Sequence, residues 1–378
     1  MNNVHIAVIG CGARGRDVIG NFLKAGKGRL AVSSVYDPDP EAVKSACRAW
    51  DTNAMLSART PEEAISAPGV DLVAIFTPNA FHCTMILAAL EAGKRVFAEK
   101  PLGVTLDECR SIIAAEKRTG IRIMTGFVLR YSPIYRKVKE LLGSGSFGDI
   151  LNISASEHRV SFGGGNSMSA DYGWRRFRKQ AGPYLLEKCC HDFDLLNWYA
   201  GGKLPERVAG FAGRDLFVPR YAGLWEKYDH AVFAAMVPEE HRINPFTSEK
   251  DIFDNHTLIL EYPGGIKVNF TLTLANAIPE RRMFFSCTEG TLIVNSDENF
   301  IRYRRYGEDA ETTLRFRCSG GHGGGDEVMA REVADALIRG TQPEISGSSN
   351  ALDCAVTALA ADESMRTGKI ISMKGVLS

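Results

Sequence analysis

The run Gly10-Cys11-Gly12-Ala13-Arg14-Gly15 matches G-x-G-x-x-G, and Asp37 follows 22 residues beyond Gly15. That spacing is the chemistry of a dinucleotide site. Gly10 permits a tight turn, Gly12 lets the main chain approach a pyrophosphate, and Gly15 lets a helix pack closely on a strand. The helix N-terminus then presents N–H groups to the anion. A carboxylate at Asp37 accepts hydrogen bonds from both ribose hydroxyls and repels a 2′-phosphate. No cation follows it in Pro38-Asp39-Pro40-Glu41. The expected cofactor is NAD, with NADP disfavoured. Asp37 also stands where a helix N-cap would, just before Pro38.

Two further runs carry titratable groups. Glu99-Lys100-Pro101 closes a short apolar segment, at the carboxyl edge where open α/β sheets bind ligands. An ammonium at Lys100, beside a nicotinamide, would stabilise a developing alkoxide. Within Gly182-Pro183-Tyr184-Leu185-Leu186-Glu187-Lys188-Cys189-Cys190-His191, Glu187 and His191 are four apart, hence on one helical face. There the carboxylate can orient the imidazole and favour its charged form, as a general base requires. A metal site would need more ligands than His191; Asp194 and His256 are available, but no spacing demands them, and none is expected.

Trp174-Arg175-Arg176-Phe177-Arg178-Lys179 is a basic-aromatic run with two readings. It is either a solvated loop or a substrate clamp, with Trp174 stacking on a sugar face and an arginine pairing with an acidic group. Gly320-Gly321-His322-Gly323-Gly324-Gly325-Asp326 is open to the same question: a loop that approaches a ligand, or a turn whose Asp326 caps the next helix.

These residues need a scaffold, and the chain's periodicity supplies one. Val4–Ile9, Leu30–Tyr36, 71–77, Arg95–Ala98 and 122–125 read as short buried strands. Helical segments near 14–25, 40–50, 80–92 and 106–117 separate them. Strands alternating with helices imply a parallel sheet covered on both faces. After about residue 147 the pattern changes. Residues 266–274 alternate with period two and follow 257–262 through Pro263-Gly264-Gly265, a hairpin signal. Residues 282–287 and 291–294 pair next, 300–306 and 312–317 extend the sheet, and helices at 326–339 and 348–366 close the chain. The expectation is an N-terminal Rossmann domain over 1–127 and a C-terminal α+β domain over 128–378, with a large, mostly antiparallel open sheet. Residues 216–250 read as an irregular insertion.

A length of 378 residues suits two domains. Lys plus Arg and Asp plus Glu are 45 each, so bulk attraction to nucleic acid or anionic lipid is excluded. Nine scattered cysteines without a C-x-x-C pair suit a reducing cytoplasm. The first apolar run ends at Gly10, and no stretch of about 18 apolar residues follows, so a soluble cytoplasmic protein is expected.

Taken together, the ordered motifs resemble the Gfo/Idh/MocA family over nearly the whole chain. The carriers are Gly10–Gly15, Thr77-Pro78-Asn79-Ala80-Phe81-His82, Glu99–Pro101, Arg130-Tyr131-Ser132-Pro133, Trp174-Arg175 and Gly182–His191. The resemblance implies that Lys100 is the lysine near the hydride-transfer centre and His191 the acid/base histidine. It also implies that Ala13, Arg14, Thr77, Pro78, Asn79, His82 and Glu99 line the cofactor, and that Arg130, Trp174 and Arg175 reach the substrate. Where the family often has Asp four residues before the histidine, this chain has Glu187. The implied function is hydride transfer between a ring carbinol of a sugar or cyclitol and NAD, in a homodimer or homotetramer. Two alternatives stay open: an NAD-dependent glycosidase working by transient oxidation and elimination, and an NAD-binding sensor without turnover.

Overall fold

The structure, a computed structural model, describes residues 3–52, 55–159, 168–235, 237–317, 320–343 and 347–376. Its helices are α1 (Ala13–Gly26), α2 (Pro40–Ala49), α3 (Pro61–Ile65), α4 (His82–Glu91), α5 (Leu106–Thr119), α6 (Pro133–Gly143), α7 (Arg178–Ala181), α8 (Tyr184–Tyr199), α9 (Gly223–Lys227), α10 (Ala231–Ala234), α11 (Gly325–Arg339) and α12 (Ser348–Thr367). The strands are β1 (Val4–Ile9), β2 (Leu30–Tyr36), β3 (Leu56–Ser57), β4 (Leu72–Ile75), β5 (Arg95–Ala98), β6 (Ile123–Thr125), β7 (Ile150–His158), β8 (Arg207–Gly213), β9 (Asn255–Glu261), β10 (Lys267–Thr273), β11 (Glu280–Cys287), β12 (Gly290–Asn295), β13 (Phe300–Arg305), β14 (Thr312–Arg315) and β15 (Ile371–Ser372).

The chain forms two compact units, Met1–Pro133 with Ser319–Leu352, and Ile134–Cys318 with Asp353–Ser378. In the first, six parallel strands run in the order β3-β2-β1-β4-β5-β6. The order reverses at β1, where neighbours β2 and β4 lead the chain away in opposite directions. That leaves a crevice at the carboxyl ends of β1 and β4. β1 and β4 are apolar and almost wholly buried because helices cover both faces of the sheet. Local signals place the helices. Asp39 caps α2 ahead of Pro40, and Thr105 and Glu108 form a capping box at α5. Asp37 is thus not the cap of α2. The cap lies two residues later, which leaves Asp37 to the β2 turn.

This unit is not finished by residue 133. Met329, Ala330, Val333, Ala334 and Leu337 of α11 are buried in one cluster with Val18 and Phe22 of α1 and with Val128 and Tyr131. A single cut after residue 127 therefore separates the sheet from a helix that covers part of its core.

The second unit holds nine strands in the order β14-β13-β12-β11-β7-β10-β9-β8-β15. The hairpins β9–β10 and β11–β12 form as their turns predict. β7 and β10 run parallel at the centre, so the sheet is mixed. Strands β7 and β8 carry no expectation from periodicity. The inward row of β7 is Ile153, Ala155 and then buried Glu157, and β8 reads R-V-A-G-F-A-G, with a glycine and few large residues. On the inner face Leu258, Phe270, Met283 and Phe285 are buried. Phe193 and Tyr199 of α8 pack there, their rings 5.4 Å from Phe270 and Phe285 respectively. Cys189 and Cys190 are both free thiols. Among the described residues no helix is long and apolar enough to cross a membrane.

Candidate functional site

The carboxyl edge of the first sheet carries most of the residues singled out above. Gly10 leaves β1 at φ +97°, and a Cβ there would lie 2.7 Å from the main chain of Phe76 at the end of β4. At Gly15 a Cβ would lie 2.5 Å from the Gly10 carbonyl oxygen, which is the close helix–strand contact expected. Around Gly12 no protein atom comes within 4 Å of an added Cβ, so the turn is open where a pyrophosphate would approach. Gly12 is also the N-cap of α1 and gives no side-chain cap, so the first N–H groups of that helix stay available.

Asp37 braces this turn. Its Oδ2 accepts the Cys11 N–H at 2.7 Å and its Oδ1 the Asp39 N–H at 2.9 Å. A carboxylate offers about four lone-pair sites, so two remain for ribose hydroxyls. Burial pushes the Cys11 thiol up to about 12, which leaves it inert at the centre of the turn. Thr77 Oγ1, after β4, is buried without a hydrogen-bond partner. An open cradle, a half-buried acid and an orphaned hydroxyl together fit a dinucleotide. His82 opens α4 fully buried, with Nδ1 2.6 Å from the Pro101 carbonyl and Nε2 2.8 Å from that of Thr77. The ring braces the Thr77 and Pro101 turns against each other, so the structure gives it a supporting place behind the edge.

Glu99 and Lys100 follow β5, Glu99 buried and Lys100 half-exposed. Arg14 Nε donates to Glu99 at 2.7 Å, and Arg14 Nη1 donates to Asp326 at 2.7 Å. His322 Nδ1 stands 2.8 Å from the second oxygen of Asp326. Although burial alone would raise the Asp326 carboxyl, the His322 contact and the Arg14 charge hold it at about 2. The cap of α11 is Gly324, so Asp326 does not cap that helix but pairs with Arg14 in its first turn. Sequence reasoning missed this link because its partners are 312 residues apart. Arg130 is buried in the turn that follows β6.

In the second unit, α8 carries Glu187 and His191, both buried. The helix is fixed by charge as well as by packing. Arg281 Nε and Nη2 donate to the two oxygens of Asp192, each at 2.9 Å, and Nε also lies 2.7 Å from Glu157. Glu157 faces Arg281 directly across β7 and β11 and takes a second fork from Arg159, at 2.8 and 3.0 Å. Lys188 Nζ is 3.7 Å from the same carboxylate. Burial would raise Glu157, but Arg281, Lys188 and Arg159 outweigh it and hold the carboxyl at about 2. An acidic residue at an inward strand position, opposite an inward arginine, was the signal that would have disclosed the network.

The basic-aromatic run divides cleanly. Arg176 is buried on the carbonyls of Ala170 and Asp171, and Arg178 forks onto Asp362 at 2.8 and 2.5 Å. Both hold the fold, which takes Arg178 out of the clamp reading. Arg175 Nε donates to Glu187 at 2.7 Å, and its guanidinium lies over the Trp174 ring, 4.3 Å from the centroid. Glu187 therefore pairs with an arginine that its spacing to His191 did not foretell. Among the described residues, no group of three or more His, Cys, Asp or Glu could hold a metal ion.

Residues 4–127 match the oxidoreductase family with an NAD-binding Rossmann fold, and residues 135–293 match the GFO/IDH/MocA C-terminal domain. The chain belongs to the Gfo/Idh/MocA oxidoreductase family. An inositol 2-dehydrogenase of Ralstonia nicotianae is 32% identical over 199 residues, 52% of this chain and 55% of that protein. The chain thus spans about half the length of such relatives. A levoglucosan dehydrogenase in complex with NADH and levoglucosan superposes with a TM-score of 0.81 at 18% identity, over 98% of this chain and 99% of that one. An aldose-aldose oxidoreductase from Caulobacter crescentus gives a TM-score of 0.74 at 18% identity, over 98% of this chain and all of that one. As a Gfo/Idh/MocA oxidoreductase, the protein carries its NAD-binding domain in the unit that bears the glycine turn and Asp37.

Proposed function

We propose that the protein transfers a hydride between a ring carbinol of a sugar or cyclitol and the nicotinamide of NAD. The observation that carries this reading is the row along one sheet edge: the glycine turn, Asp37, the Thr77 turn and Glu99-Lys100, each at the carboxyl end of a parallel strand. The names of its relatives, inositol 2-dehydrogenase and levoglucosan dehydrogenase, support the substrate class.

NAD, when bound, supplies the hydride acceptor. The glycine turn, with Ala13 and Arg14, holds the pyrophosphate by main-chain N–H groups. Asp37 holds the adenosine ribose, and Thr77, Pro78, Asn79 and Glu99 line the remainder, braced by His82. Asp37 selects NAD over NADP by repelling a 2′-phosphate. Lys100 Nζ binds the carbinol oxygen and stabilises its developing charge. His191 removes the hydroxyl proton at Nε2, its Nδ1 being shut away from solvent. Glu187 orients that ring from one helical turn away, and Arg130 and Trp174 contribute to substrate binding. Self-association belongs to the same reading, through the outer sheet face, where Phe211 is 82% and Ile259 60% exposed.

The test is NADH formation with the full-length protein across a panel of sugars, polyols and cyclitols, with NAD+ and NADP+ run in parallel. The expected result is turnover with at least one polyol and a higher kcat/KM for NAD+. Binding of NADH with silence across the panel would overturn the reading. Light scattering during gel filtration should return more than one chain, and Ile259→Glu should lower that number.

A further inference from the structure

Arg175 lies in the turn Trp174–Arg176, just ahead of the helix that carries His191. Two contacts fix its guanidinium: Nε donates to Glu187 at 2.7 Å, and one face lies on Trp174 at 4.3 Å. Its Nη1 and Nη2 have no partner among the described residues, and the side chain is 31% exposed. A fork held by its Nε edge and one face, with both Nη groups open, is preorganised for bidentate recognition of an oxyanion. Little rotamer freedom remains to be lost when it binds.

Arg175, Arg176, Arg178 and Lys179 place four cations within five positions. The carboxylates around them are Glu187, on Arg175, Asp362, on Arg178, Asp251, on the Arg178 main-chain N–H, and Asp171 and Glu249, near Arg176. Arg176 donates to main-chain carbonyls, and Lys179 is exposed. The run is therefore offset as a whole, and the open edge of the Arg175 guanidinium is what draws an anion. A planar carboxylate matches one open guanidinium edge. A phosphate monoester, with nearly two charges and three oxygens to satisfy, would need more donors than a single fork.

We propose that Arg175 recognises a carboxylate, so that the substrate is an acidic sugar or cyclitol rather than a neutral one. This rests on the reading that places His191, one helical turn beyond Glu187, in the substrate site.

The test compares D-glucuronate and D-gluconate with D-glucose, myo-inositol and D-glucose 6-phosphate, using the full-length protein and NAD+. The expected result is a kcat/KM about tenfold or more higher for an acid than for its neutral counterpart, the size of one hydrogen bond to a charged group. Arg175→Met should raise KM for the acid relative to the neutral sugars by about the same factor, on top of any fall in kcat common to all substrates from the loss of its bond to Glu187. Arg175→Lys, which keeps the charge without the fork, should recover part of the loss. Because Arg175→Met leaves the buried Glu187 carboxylate behind, the urea midpoint of the variant serves as the folding control. Equal losses on acidic and neutral substrates, or a preference for the phosphate ester, would overturn the proposal. Turnover with neutral sugars alone would overturn it and leave the hydride-transfer reading standing. Silence with every substrate would overturn both.

Discussion

Asp37 braces the glycine turn, and a substitution tests the ribose role proposed for it. Its Oδ2 holds the Cys11 N–H in the glycine turn, and the same carboxylate is assigned to a ribose. Asp37→Asn keeps one acceptor oxygen and removes the charge. NADH affinity should fall by about tenfold or more, as a charged hydrogen bond is lost, while NADPH affinity changes less because the repulsion of its phosphate goes too. Fluorescence titration of both cofactors checks this, and an unchanged ratio of the two dissociation constants would remove Asp37 from its role. The place of Asp37 at the end of β2 was legible because the glycine turn and the strand that follows it lie within one strand–helix–strand unit. Asp326 was not, because its role depends on Arg14, which only folding brings to it. Glu187 lies on a helix that the sequence predicts, but the arginine that pairs with it comes from the preceding turn.

At the level of elements, α8 keeps its position through a buried charge network that periodicity does not reveal. Glu157 is fully buried, and its carboxyl is held near 2 by Arg281, Lys188 and Arg159 against the pull of burial. Removing it takes the carboxylate from Lys188 and one of two carboxylates from each of Arg281 and Arg159. Glu157→Gln should therefore destabilise the protein by about 3 to 5 kcal/mol, read as a shift in the urea midpoint. The pH dependence follows from the direction of the shift. A depressed native pKa stabilises the fold above the unfolded value of about 4.3 and loses that contribution as pH falls toward 2. The gap between wild type and Glu157→Gln should narrow as pH falls below about 4.3. A gap that widens in acid would reverse the assignment. The hairpins of the second sheet were legible from their turns, whereas β7 was not, because a charged residue occupies an inward position.

Considered whole, the molecule builds its NAD-binding unit from both ends of the chain. The alternation of strands and helices announced the parallel sheet, and a break in pattern announced the second sheet, since each depends on local period. Nothing local announces that α11 returns to cover the first core. A fragment of residues 1–133 lacks Met329, Val333, Ala334 and Leu337 and exposes the α1 surface they cover. It should show no cooperative thermal transition, and joining residues 319–352 to it by a flexible linker should restore one. A sharp transition in the short fragment would contradict the discontinuous unit.

The proposed hydride transfer assigns Lys100 and His191 to one carbinol. Single-turnover NADH formation in wild type, Lys100→Met, His191→Asn and the double variant tests it directly. Each single substitution should slow the chemical step by roughly 100- to 1,000-fold, and the double should be little slower than the worse single, as expected of groups that act as a unit. NADH affinity should change little in any of them. Losses that multiply, or near-normal turnover in either single variant, would contradict the account.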